Sequence, residues 1–186
     1  MKLSRDELVG NIEASKRKEY SALGDVLELT KARLSLMVVF TTAIGYIVGS
    51  SKDWSWINLI YAVVGTACSA ASAAALNQWF EVDVDALMDR TKERPLPAGR
   101  MGSAKALWYG IILGIIGVGG LWVLATPLAA VLAFATIVIY LALYTPLKRR
   151  SAWCTIVGAV SGAIPPVIGW AAAGGAVSYT HLTLPT

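Results

Sequence analysis

Five apolar runs, each bounded by charge or by turn residues, constrain this chain more than any other feature. They cover Leu34–Ser50, Ile57–Phe80, Lys105–Ala125, Leu128–Tyr144 and Ala152–Ala173. A bilayer crossing needs about 20 apolar residues in a helix. Three of the runs reach that length; Leu34–Ser50 and Leu128–Tyr144 are shorter, and the first needs Ala32 or earlier residues to extend it. Hydrophobic residues make up 56% of the chain and charged residues only 15%. Soluble domains carry roughly 25% charge, so the composition agrees with a membrane protein. The expected fold is all-α, a polytopic transmembrane helical bundle.

The basic residues test the span count independently. Of sixteen lysines and arginines, only Lys52 falls on the far side if five spans alternate. The rest lie in residues 1–33, in the loop near positions 81–105 and in Lys148-Arg149-Arg150. By the positive-inside rule these segments are expected to be cytoplasmic, and the expected location is the inner membrane of a bacterial cell. The net charge of +4 is spread between apolar runs and forms no continuous patch, so no nucleic-acid partner is expected and membrane lipid is the surrounding medium. Cys68 and Cys154 lie in apolar runs without a CxxC pair and read as packing residues. No secretory leader is apparent.

Three regions follow. Residues 1–33 are a polar N-terminal segment, whose Leu8–Leu29 stretch has weak helical periodicity and suits a membrane surface or a cytoplasmic tail. Residues 34–176 hold the spans. Trp54 and Trp56 mark an interface, and ACSAASAAAL in the second span is small enough for close helix contact. Pro165-Pro166 interrupts the backbone ladder of the fifth span, so that helix is expected to face protein or a cavity. The last segment, 177–186, changes abruptly to VSYTHLTLPT. It reads as adapter read-through after a broken frame, with the single histidine, His181, having no functional part; a genuine periplasmic end is the alternative.

The chemistry concentrates in NQWFEVDVDALMDRTKERPLPAGR, Asn77 to Arg100. Asn77, Glu81, Asp85 and Asp89 recur every four residues and share one face of a helix. Like charges at that spacing repel, so a cation is expected beside them. Oxygen donors suit magnesium, which takes one or two carboxylates and completes its shell with water and phosphate. Arg90, Lys92, Arg94 and Arg100 follow at once, on a loop stiffened by Pro95 and Pro97, and suit phosphate oxygens. A diphosphate held between metal and cations is a good leaving group. Basic loops and acidic helix ends also occur as solvated surface, and Asp83, off the stripe, is read that way. Neither an EF-hand nor a phosphate-binding glycine loop is present.

These residues resemble the first aspartate-rich motif of the UbiA superfamily of intramembrane prenyltransferases. The match comprises Asn77, Glu81 and Asp85, then Arg90-Thr91, then Arg94 to Gly99; Tyr144 and Lys148 in YTPLK match a further element. Within that superfamily LTKARLSLMVVFTTAIGYIVG, Gln78, Glu81 and GAIPPVIGW resemble the haem O synthases, the protohaem IX farnesyltransferases. The resemblance implies a bundle of about nine helices, each near the roughly 20 residues a bilayer needs, with two acidic motifs; about five helices and the first motif are present here. It also implies transfer of farnesyl from farnesyl diphosphate to a vinyl group of haem B, giving haem O for terminal oxidase assembly. Asn77, Glu81 and Asp85 would then bind Mg2+. Arg94 and Lys148 would hold diphosphate, with Tyr144 lining the site and Lys92 and Arg100 as further candidates. Asp85, Tyr144 and Lys148 would be the catalytic set. Lys31 and Arg33 would meet haem propionates, or be an ordinary positive flank. This stretch of chain by itself is expected to be inactive. A sister enzyme acting on a quinone precursor or another aromatic acceptor shares the first motif. A cation-conducting protein is the alternative from another class, and it would place charge at mid-membrane.

Overall fold

The computed structural model describes residues 22–50, 54–148, 151 and 153–174, with backbone only for 22, 23, 32 and 33. The adapter-like segment 177–186 and most of the N-terminal segment lie outside the described residues. Among these residues there are helices and turns and no strand. Helix α1 is Ala22–Leu29, α2 Ala32–Gly49 and α3 Trp56–Phe80. A short α4, Val82–Asp85, follows, then α5, Ser103–Leu124, and α6, Pro127–Val138. A π-helical turn, Ile139–Tyr144, passes directly into α7, Thr145–Leu147, and α8 is Cys154–Ala172.

Helix α3, α5, the continuous stretch Pro127–Leu147 and α8 are each long and apolar enough to cross a membrane, and the apolar part of α2, Leu34–Gly49, is shorter. The five expected spans therefore correspond to five helices. Large side chains such as Leu34, Phe40, Trp108, Ile115 and Phe134 point outward. An apolar exterior of this extent would drive association in water and is solvated by lipid in a membrane protein.

Small residues bring α3 and α5 together. A Cβ added at Gly117 would crowd Ser69, and one at Gly110 would crowd Leu76. Ser72 Oγ reaches across to the Gly110 carbonyl at 2.7 Å. This close approach is the use expected of the ACSAASAAAL run.

Helices α2 and α8 meet at glycines as well. A side chain at Gly45 would collide with the Pro166 carbonyl, and one at Gly169 with the Thr42 carbonyl. Pro165 and Pro166 lie inside α8 without ending it. Pro165 is buried, so the proline step faces protein as expected.

The core has two parts. One, built on Tyr46, Ala62, Leu121, Ala129 and Ile168, lies toward the Trp54–Trp56 turn. There Tyr46 Oη donates to the Ser55 carbonyl at 3.0 Å and packs edge-on against Trp54. The other, Leu29, Ala75, Leu96 and Ala106, underlies the opposite end of α3. It anchors the Asn77–Arg100 stretch.

Candidate active site

Helix α3 stops at Phe80, and Glu81 leaves helical geometry at φ −98°, ψ 8°. The ladder nevertheless persists across the break: Glu81 N donates to Asn77 O at 3.0 Å and Asp85 N to Glu81 O at 2.8 Å. Asn77, Glu81 and Asp85 thus stay on one side, all buried. After Asp85 the coil unwinds. Thr91 Oγ1 takes the Asp85 carbonyl at 2.9 Å, and Asp89 swings into solvent beside Lys92. The stripe is three residues long because the helix ends there. Asp83 is exposed, as expected for its place off the stripe.

Each buried carboxylate has a cation. Arg94 Nη1 binds Asp85 Oδ2 at 2.5 Å, and Lys148 Nζ lies 3.3 Å from Glu81 Oε2 and 3.4 Å from Oε1. The RPLPAG loop presents Arg94 because Pro95 and Leu96 are buried beneath it and Gly99 takes φ +69°, a conformation that glycine adopts without steric cost. Asn77 Nδ2 donates to Glu81 Oε2 at 3.0 Å, while its Oδ1 accepts from Thr145 Oγ1 at 2.7 Å. The contact with the Glu81 carboxylate, an acceptor, assigns the nitrogen to that side of the amide; the Thr145 hydroxyl also faces the Tyr140 carbonyl at 2.9 Å.

A cavity of about 770 Å³ opens beside these pairs, with Lys31, Arg90, Arg94 and Lys148 among its lining residues and Tyr140, Tyr144 and Gln78 on its walls. Tyr140 and Tyr144 stack with centroids 5.0 Å apart. The π-helical turn that carries them leads directly to Thr145 and Lys148. Local π geometry often marks functional positions. A smaller apolar cavity of about 240 Å³, between α2, α3, α6 and α8, adjoins the first through Lys31, Leu34 and Tyr140. Lys31 stands among like charges. Burial first, and then Arg94 and Lys148, hold its pKa below the ordinary value, with Glu81 and Asp85 pulling the other way.

Of the expected residues, Asn77, Glu81, Asp85, Arg94, Tyr144 and Lys148 converge. Lys92 and Arg100 do not. Lys92 pairs at the surface with Asp89. Arg100 is taken up by Asp25 at 2.8 Å, Glu28 at 3.0 Å and the Glu93 carbonyl at 2.7 Å, tying α1 to the loop. The Arg33 side chain lies outside the described residues. Sequence reasoning passed over Thr145, which orients Asn77, and Tyr140, which lines both cavities. Their only signal was position: one residue after Tyr144, and four before it.

The donor set fits magnesium. It consists of the Glu81 and Asp85 carboxylates, both hard ligands, while the Asn77 oxygen is engaged by Thr145 Oγ1 and its nitrogen faces Glu81. No group of three histidine, cysteine or acidic side chains that could hold a metal occurs among the described residues. The protein atoms alone would leave the shell incomplete, as expected for an ion that takes the rest of its ligands from water and phosphate.

The family model of the UbiA prenyltransferase family matches residues 38–186. The chain belongs to this family. Among curated relatives of this UbiA-family chain is a protoheme IX farnesyltransferase of Opitutus terrae, 47% identical over 154 residues that cover 83% of this chain and 52% of the relative. Another is the mitochondrial protoheme IX farnesyltransferase of Arabidopsis thaliana, 47% identical over 159 residues, 85% of this chain and 37% of the relative. The chain spans about half the length, or less, of these relatives. A solved UbiA homolog from Archaeoglobus fulgidus, bound to DMAPP and Mg2+, superimposes with a TM-score of 0.73 at 18% identity, covering 83% of this chain and 56% of that one. The fold is therefore that of the UbiA family, and the chain is an integral membrane protein.

Proposed function

We propose that this chain carries the diphosphate-binding half of a magnesium-dependent prenyltransferase that moves farnesyl from farnesyl diphosphate to a vinyl carbon of haem B, giving haem O. The observation that carries the chemistry is the pairing of buried Glu81 and Asp85 with Lys148 and Arg94 at the edge of a cavity lined by further cations. The acceptor is argued from kinship: the curated relatives above are named protoheme IX farnesyltransferases.

Asn77, Glu81 and Asp85 would hold magnesium, which supplies charge neutralisation for the departing diphosphate. Arg94 and Lys148 trade their carboxylate partners for phosphate oxygens when substrate enters, and preorganised cations of this kind favour the separated charges of the transition state. The aromatic faces of Tyr140 and Tyr144 border the place where the allylic carbon becomes positive, an arrangement that attracts cations. The apolar cavity beyond Tyr140 suits the start of the prenyl chain. The acid pairs lie at the end of a membrane-spanning helix, not at its middle, which favours this reading over ion conduction. The distribution of lysine and arginine supports an orientation with the site on the cytoplasmic side, and a bacterial inner membrane is part of the same proposal.

The test is a chimera joining residues 1–174 to the C-terminal half of the Opitutus terrae relative, incubated with farnesyl diphosphate, Mg2+ and haem B. Chromatography should reveal haem O, which Asp85→Asn should abolish. The 186-residue chain by itself should yield none. Prenylation of an aromatic acid or quinone precursor in place of haem B would transfer the assignment to the sister enzymes.

A further inference from the structure

The linker between α1 and α2 is held by more contacts than a surface turn requires. Gln78 Nε2 donates to the carbonyls of Glu28 and Leu29, each at 3.0 Å. The Thr30 hydroxyl donates to the Val26 carbonyl at 2.9 Å, and the Ser35 hydroxyl to the Thr30 carbonyl at 3.1 Å. Arg100 grips α1 through Asp25 and Glu28. These contacts surround Lys31, which adopts φ 49°, ψ 51°. The left-handed region is unfavourable for a residue with a side chain, and glycine would occupy it freely. A lysine at this position retains a strain that the turn alone does not need.

Its location offers a reason. Lys31 is shared by the polar cavity and the apolar cavity. An amphiphile with its chain in one and its anionic head in the other passes Lys31 where its character changes. Arg94 and Lys148 each already face a carboxylate, whereas among the described residues no ion pair to Lys31 is formed. We propose that Lys31 binds the diphosphate of the prenyl substrate, as a third cation delivered from the start of α2 beside Arg94 and Lys148. This rests on the prenyl diphosphate reading above and moves Lys31 from the haem propionates to the leaving group. A multiply charged anion among the three ammonium and guanidinium groups offsets their mutual repulsion. The lowered proton affinity of Lys31 in the ligand-free chain accords with that repulsion.

The experiment is calorimetric titration of the 186-residue chain in neutral detergent with Mg2+, using farnesyl thiodiphosphate, which ionises poorly, and farnesol. Lys31→Met and Lys31→Gly should each weaken thiodiphosphate binding about tenfold or more, the effect of one charge-assisted bond. Lys31→Arg should stay within about threefold because the charge remains. Farnesol affinity should be the same in all four proteins, and circular dichroism should show unchanged helix content. Lys31→Met binding thiodiphosphate as tightly as the unaltered chain would overturn the assignment. So would an equal loss for farnesol, or equal competition by phosphatidylglycerol micelles, which would make the site a lipid-headgroup site. If neither the unaltered chain nor the chimera described above takes up thiodiphosphate, the prenyl diphosphate reading falls and the Lys31 assignment with it.

Discussion

Glu81, Asp85 and Asp89 share one spacing and one chemistry, yet the structure treats them in opposite ways. The first two are buried against Lys148 and Arg94. The third is 98% exposed and pairs with the half-exposed Lys92 at 2.7 Å. The shortness of that surface contact says little about its worth, because exposed pairs gain about 0–1 kcal/mol after solvation and side-chain entropy. A buried pair differs because losing one partner strands the other's charge away from water. Position relative to the end of the helix, not residue type, separates a site carboxylate from a surface one.

The largest effect should come from Asp85→Ala. It leaves the Arg94 guanidinium without its carboxylate, and thermal melts in detergent should show about 3 kcal/mol lost. Restoration by Arg94→Met in the same chain would identify the stranded charge as the cause, whereas a loss of under about 0.5 kcal/mol for Asp85→Ala would erase the distinction from Asp89. Next is Thr145→Val, nearly isosteric. It removes the donor to Asn77 Oδ1 in a fully buried place, and an unsatisfied buried acceptor costs about 1–3 kcal/mol. If Asn77 also orients Glu81 for metal, the apparent Mg2+ affinity, followed with Mn2+ by electron paramagnetic resonance, should fall as well. Unchanged stability and Mn2+ binding would make Thr145 mere packing.

A smaller effect concerns pH. The folded chain holds the Lys31 pKa below its ordinary 10.5. Between the folded and the unfolded value the unfolded chain binds more protons, so the stability of the ligand-free protein should rise with pH across that interval and level off above 10.5. Lys31→Met should lose that part of the rise, and an identical pH profile for both proteins would show that Lys31 is not held down. The smallest effect belongs to Asp89→Ala, expected within about 0.5 kcal/mol and without change in ligand binding. A large loss there would mean the surface pair belongs to the site.

The pairings themselves divide along the same line. Arg94 and Arg100 belong to one basic loop and look alike as candidates, but the packing of Pro95 and Leu96 turns Arg94 toward Asp85. Arg100, at the far end of the turn, meets Asp25 and Glu28, which are more than seventy residues away in sequence. Thr145 and Tyr140 carried little signal because their roles depend on how a π-helical turn is set against α3. That juxtaposition has no local pattern.

By itself the sequence determined the membrane class, the five helices, the small-residue contact of α3 and α5, and the family. Each of these rests on local periodicity, composition or a contiguous motif, which the chain carries whatever its partners do. Only the tertiary structure decided which charges are buried, which cation serves each carboxylate, and that Lys31 stands where two cavities join. Those facts depend on where α3 ends and on which segments cover its end, and solvation by distant parts of the chain sets the worth of each charge.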